Sequence, residues 1–142
     1  MSIIVNNRRL AVAVWSRLVR VYQKVDRLSE RNFAELGLNT ACFDVIARVA
    51  SHEGLTQGEL AESLLVTKGN VSQLVTKLVG SGLLERRAEG RSQHLFLTAS
   101  GRELATVAVP RQEALLVETL AGLSDREQSD LLRLLRRWER SR

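Results

Sequence analysis

Apolar residues recur at helical spacing from the start of the chain. Leu10, Val14, Leu18, Val21, Val25 and Leu28 share one side, with Arg17, Arg20, Lys24 and Arg27 between them, so the first 36 residues are predicted to form one helix. Trp15, Val19 and Tyr22 widen its apolar sector. A sector that broad on a terminal helix covers more than one neighbour, a second subunit included. Gly37 ends the segment, in the way glycine closes many helices. Phe43, Ile46, Ala47, Val49 and Ala50 mark a second helix from Thr40 to His52, closed by Gly54. Thr56 and Glu59 stand at capping-box spacing and open a short helix to about Leu64, with Leu60, Ala61 and Leu64 inward. Thr67 is predicted to cap the next helix, in which Val71, Leu74, Val75 and Leu78 form the buried stripe and which Gly80 and Gly82 stop.

Two short apolar segments follow, Leu83 to Arg87 and Gln93 to Leu97, separated by Ala88-Glu89-Gly90-Arg91-Ser92, and they read as a hairpin. Ser100 with Glu103 predicts a second capping box, opening a helix through Leu104, Ala105, Val107 and Ala108. Pro110 predicts a kink or a break at Val109, after which the helical pattern resumes through Leu115, Leu116 and Leu120. Gly122 closes it, Ser124 with Glu127 predicts a third capping box, and Leu131, Leu134, Leu135 and Trp138 line one face of the terminal helix. The predicted class is mainly α with a small β-hairpin: helix, tight turn, helix, then a wing.

Composition narrows the partners. With 142 residues one domain with helical extensions is expected. A net charge of +5 invites a polyanion, while 4% aromatic content argues against a surface that stacks unpaired bases. Charge is unevenly placed. Residues 1–36 hold seven basic and three acidic side chains, whereas residues 56–78 hold two of each. Cys42 is the lone cysteine, so no intramolecular disulfide forms, and His52 and His94 read as ordinary polar positions rather than metal ligands. The longest run without a charged residue, Ser92 to Gly101, has ten residues, about half a membrane span. A soluble, unexported, cytoplasmic protein without a membrane partner is expected. The sequence contains no Gly-rich phosphate loop, nucleophile elbow or His-rich motif, so neither an enzyme nor a cofactor is expected.

With Val71, Leu74, Val75 and Leu78 turned inward, the opposite face of that helix carries Gly69, Gln73, Thr76 and Gly80, flanked by Asn70, Ser72 and Lys77. Asn and Gln present a paired donor and acceptor to adenine in the major groove, and Ser and Thr reach bases or phosphates. Gly69 and Gly80 allow close backbone approach. Thr67, Lys68 and the free N–H groups at the helix start suit a phosphate. Arg91 at the hairpin tip, with Arg86 and Arg87 at its base, is expected to enter a minor groove or to hold phosphates. The competing class is a helical adaptor that uses the same core for protein contacts. Binding to duplex DNA that falls steeply with salt separates the two.

The stretch from Leu55 to Gly101, through LTQGELAESL, VTKGNVSQLVTKLVGSGLLERR and LFLTASG, resembles the winged helix-turn-helix of the MarR family of bacterial transcription regulators. The layout of a long N-terminal helix and two C-terminal helices extends the resemblance to essentially the whole chain. It implies a dimerisation helix over residues 1–36, a winged helix-turn-helix DNA-binding domain over 37–98 and C-terminal dimerisation helices over 99–142. It implies a homodimeric repressor on a pseudo-palindromic operator in double-stranded DNA. Where the family usually carries Asp-x-Arg in a longer wing loop, Glu89-Gly90-Arg91 stands here in a shorter one, its carboxylate able to orient Arg91. The family commonly releases DNA when a small effector binds or a cysteine is oxidised. Cys42, in the first turn of its helix, is the candidate sensor, but it shares a face with Ile46 and Val49, and a small buried core cysteine is the commoner explanation of such a position. Trp15, Tyr22 and Arg48 are the candidate pocket residues.

Overall fold

The computed structural model describes residues 2–64 and 70–141, with side chains from residue 7 onward. The chain runs α1 (Ser2–Ala34), α2 (Thr40–Ser51), α3 (Gln57–Ser63), α4 (Val71–Gly80), β1 (Leu84–Glu89), β2 (Ser92–Leu97), α5 (Ala99–Thr119) and α6 (Asp125–Glu139). The core surrounds α2. Val45, Ile46 and Val49 are fully buried there and meet Leu60 of α3, Val75 and Leu78 of α4, Leu84, Leu95 and Leu97 of the hairpin, and Ala105 and Ala108 of α5. Phe33 of α1 stacks on Phe43 at 4.3 Å, seating the long helix on this core. Ala61, expected inward, is exposed, because the two turns of α3 and its cap have only Leu60 and Leu64 turned to the core.

Two helices end in the same motif. Leu38 N–H donates to the Phe33 carbonyl and Gly37 N–H to Ala34, with Gly37 at φ +72°. Leu83 N–H donates to Leu78 and Gly82 N–H to Val79, with Gly82 at φ +76°. Each glycine sits in the left-handed region, where a side chain is strained, and returns the chain toward the core through a leucine. Thus Gly82 terminates α4, and Gly80 lies within it.

Two expectations at helix starts are corrected. Asn70 caps α4, its side chain accepting from Gln73 N–H at 3.2 Å, in place of Thr67, which lies outside the described residues together with Lys68 and Gly69. Thr98 caps α5, accepting from Gly101 N–H at 3.0 Å, and the Ser100–Glu103 box does not form. Thr98 prevails because the Leu83 carbonyl holds its backbone N–H at 3.1 Å and its hydroxyl donates to Gly82. Of the two outcomes expected at Pro110, the break does not occur, and α5 runs on as one helix through it. The proline removes one helical hydrogen bond, at a cost of about 3 kcal/mol. Contacts on both sides offset it: Ala105 and Ala108 are buried before it, and after it Gln112 bonds Ser29 at 2.9 Å and Asn32 at 3.4 Å on α1 while Arg111 pairs with Glu35 in the turn that follows.

Candidate nucleic-acid interface

α4 buries Val75 and Leu78, half-buries Val71 and Leu74, and exposes Ser72, Gln73, Thr76, Lys77 and Gly80. The face expected from the periodicity is therefore the solvent face, and a Cβ added at Gly80 meets nothing within 4 Å. Asn70 has a second duty that sequence reading missed. Its side-chain carbonyl oxygen already accepts from the Gln73 N–H, so a two-bond contact to adenine would have to share that oxygen with the cap.

The hairpin is tighter than expected. β1 and β2 pair from Leu84↔Leu97 to Glu89↔Ser92, leaving only Gly90 and Arg91 in the turn. Gly90, at φ +62°, occupies the first central position, the arrangement of a type II′ turn. This register sorts the arginines. Residues paired across the ladder share a face, so Arg86 and Leu95 lie on the core side with Leu84 and Leu97, and Glu85, Arg87, His94 and Phe96 lie on the other. Arg86 Nη2 donates to Thr76 Oγ1 of α4 at 3.0 Å. Arg87 instead pairs with Glu85, Nε to Oε1 at 2.8 Å, and stacks over the Phe96 ring at 4.1 Å. Arg87 is thus held by its own hairpin rather than presented with the other two. Arg91 is exposed at the tip, with no ion pair among the described residues.

Glu89 does not orient Arg91. Its carboxylate faces His94 Nε2 at 3.7 Å, because residues of β1 and β2 on one face meet across the ladder while a turn residue points away. His94 Nδ1 donates to the Gly54 carbonyl at 2.6 Å, and Gly54 and Leu55 exchange backbone hydrogen bonds with Leu95. The wing is thereby fastened to the loop between α2 and α3. Phe96 was legible as a partner for Arg87 only after the register was known, since the alternation Leu95-Phe96-Leu97 places it outward but not opposite any particular residue.

The remaining candidates are not brought together. Trp15 meets Trp138 of α6 edge-on at 6.3 Å, and Tyr22 is exposed. Arg48 donates to the Ser63 carbonyl at 3.2 Å beside a cavity of about 260 Å³ between α2 and the end of α3, lined neither by Trp15 nor by Tyr22. Cys42 is 4% exposed and packs in the core. Among the described residues no cluster of His, Cys, Asp and Glu is placed to hold a metal ion, and no helix is long and apolar enough to cross a membrane.

The model of the MarR family matches residues 36–93, the segment from the end of the first turn to the start of the return strand. A helix-turn-helix-type transcriptional regulator of Bacillus cereus is 30% identical over 119 residues, which is 84% of this chain and 81% of that one. The chain belongs to the MarR family. A MarR family transcriptional regulator from Silicibacter pomeroyi has a similar structure, with a TM-score of 0.77 and 29% identity over 92% of this chain and 93% of the other. A cysteine mutant of Escherichia coli MarR, solved with operator DNA, is similar at a TM-score of 0.77 and 26% identity over 89% of this chain and 94% of that one. The protein is a MarR-family transcription regulator with a winged helix-turn-helix.

Proposed function

We propose that this MarR-family protein is a homodimeric repressor that binds a pseudo-palindromic operator in the cytoplasm and yields it to a small effector. The observation that carries the reading is the exposed α4 face, Ser72, Gln73, Thr76 and Lys77, polar along its length and bordered by Arg86 and the free Arg91. Ser72, Gln73 and Thr76 suit base edges, Lys77 at the last turn and Arg91 suit phosphates, and Arg87 is left a structural role. Thr67, Lys68 and Gly69 complete the proposed contact set at the approach to α4.

Support for a second copy comes from the chain ends. Leu10, Trp15, Leu134 and Trp138 are 62, 58, 50 and 43% exposed, on two helices that carry apolar stripes. Two-fold symmetry then sets the two α4 helices about 34 Å apart, and half-sites about 10 bp apart. The cavity beside Arg48 supports an effector of small size, and the burial of Cys42 favours packing over oxidant sensing for that residue. Selection of bound duplexes from a random pool tests the reading. A two-fold symmetric motif with half-sites one turn apart is expected, and binding that falls about a thousandfold or more between 50 and 200 mM salt. Absence of binding to any duplex at low salt rejects it in favour of a protein-contact role.

A further inference from the structure

Arg86 leaves the base of the wing on the core side of the hairpin and reaches α4, where its Nη2 donates to Thr76 Oγ1 at 3.0 Å. Thr76 lies one turn beyond Gln73 and one turn beyond Ser72 on the exposed face of α4. The guanidinium is therefore set on the helix face itself rather than on the rim of the domain. Its charge is not neutralised, because the nearby carboxylates are engaged elsewhere, Glu85 with Arg87 and Glu89 toward His94. The bond to Thr76 uses one of five guanidinium N–H groups and leaves a two-donor edge for a planar pair of acceptors. In the major groove the matching pair is O6 and N7 of guanine. A side chain already anchored through one nitrogen loses less freedom when the other edge binds.

We propose that Arg86 reads a guanine in the major groove and that Thr76 is the positioning residue that aims it, so that one base pair of each half-site is specified from the base of the wing. The inference rests on the DNA-binding reading of α4 and replaces the phosphate role expected for Arg86 from sequence. Both residues are exposed, so their replacement leaves the fold intact.

The test compares duplexes selected from a random pool by the wild-type chain and by Arg86→Lys, Arg86→Ala, Thr76→Val and Thr76→Ser. The wild type is expected to prefer guanine at one position per half-site. Arg86→Lys, which keeps the charge but loses the fork, and Thr76→Val, which keeps the shape but loses the hydroxyl, are both expected to reduce that preference about tenfold, with other positions and the salt slope unchanged. Thr76→Ser is expected to retain it. The proposal is overturned if Arg86→Lys keeps every base preference while Arg86→Ala weakens all duplexes alike with a shallower salt slope, the behaviour of a phosphate contact. Loss of the preference in Arg86→Lys but not in Thr76→Val overturns the aiming role of Thr76. A wild-type chain that selects no duplex at all removes the DNA-binding reading itself, a result distinct from these.

Discussion

A methyl group at Gly101 has nowhere to go. A Cβ there falls 2.0 Å from the carbonyl oxygen of Leu83 and 3.0 Å from its carbon, and both are backbone atoms that cannot rotate aside. Gly101→Ala is expected to destabilise the fold by about 3 kcal/mol, read as a lowered denaturation midpoint with an unchanged slope. Gly80 is the opposite case: it lies inside α4 with open space where its Cβ belongs. Gly80→Ala is expected to stabilise the free protein by about 0.5–1 kcal/mol, by lowering the freedom of the unfolded chain and favouring helix. If the bare backbone at this position serves close approach to DNA, the same variant binds its operator more weakly although it is more stable. Thermal denaturation and duplex titration of one sample decide the point. Asn70→Ala belongs to the same scale. Its loss is expected to appear first as fraying of α4, because the side chain holds Gln73 N–H, and only secondarily as altered base preference.

At the scale of elements, helix ends differ in how far their partners lie along the chain. α6 opens on a complete capping box, in which Ser124 Oγ accepts from Glu127 N–H at 3.2 Å and Glu127 accepts from Ser124 N–H at 2.9 Å. The backbone hydrogen bond, with a smaller share from the Ser124 side chain, holds the Glu127 carboxyl below its ordinary value of 4.5. A carboxyl lowered in the folded state contributes stability that is complete above the unfolded value and is lost as pH falls through the folded one. Acid is therefore expected to loosen the start of α6, and Ser124→Ala to return the Glu127 midpoint toward 4.5, both followed by carboxyl NMR titration. This box and the one at Thr56 were legible from spacing, as were Gly37 and Gly82, the two helix-ending glycines that precede a leucine, since each depends on residues close by in the chain. The cap of α5 was not. Thr98 prevails over Ser100 through a bond to Leu83, a contact that exists only once β1 and β2 have paired. The same holds at the face proposed to bind DNA. Its α4 residues follow from a 3.6-residue repeat, whereas the partners of Arg86 and Arg87 depend on a hairpin register fixed by a two-residue turn. Pro110 does not break α5 because its local preference is outweighed by the packing that α1 and α2 provide.

For the whole molecule, the exposed apolar residues of α1 and α6 are the surface on which the proposed dimer rests. Leu134→Glu is expected to leave the helical content of the chain unchanged, since no residue of α6 is buried within one copy, while converting the protein to a monomer in sedimentation. The monomer is expected to bind a full operator at least about a hundredfold more weakly, because two linked half-sites gain that much from simultaneous engagement. Two chains of +5 give a dimer of +10, which favours rapid encounter with DNA at low salt. The join at Gly101 also has a mechanical side. α5 is a rod whose first turn bears directly on Leu83, just beyond the end of α4, and whose middle is clasped to α1 through Gln112 and to Glu35 just after it through Arg111. The arm from that clasp to the start of the rod is about 20 Å at 1.5 Å per residue, so each degree of pivot carries the start of α5 by about 0.3 Å. Ten degrees carries it about 3 Å, a full hydrogen-bond length, measured at the Leu83 carbonyl that Gly101 abuts and that the Thr98 N–H holds.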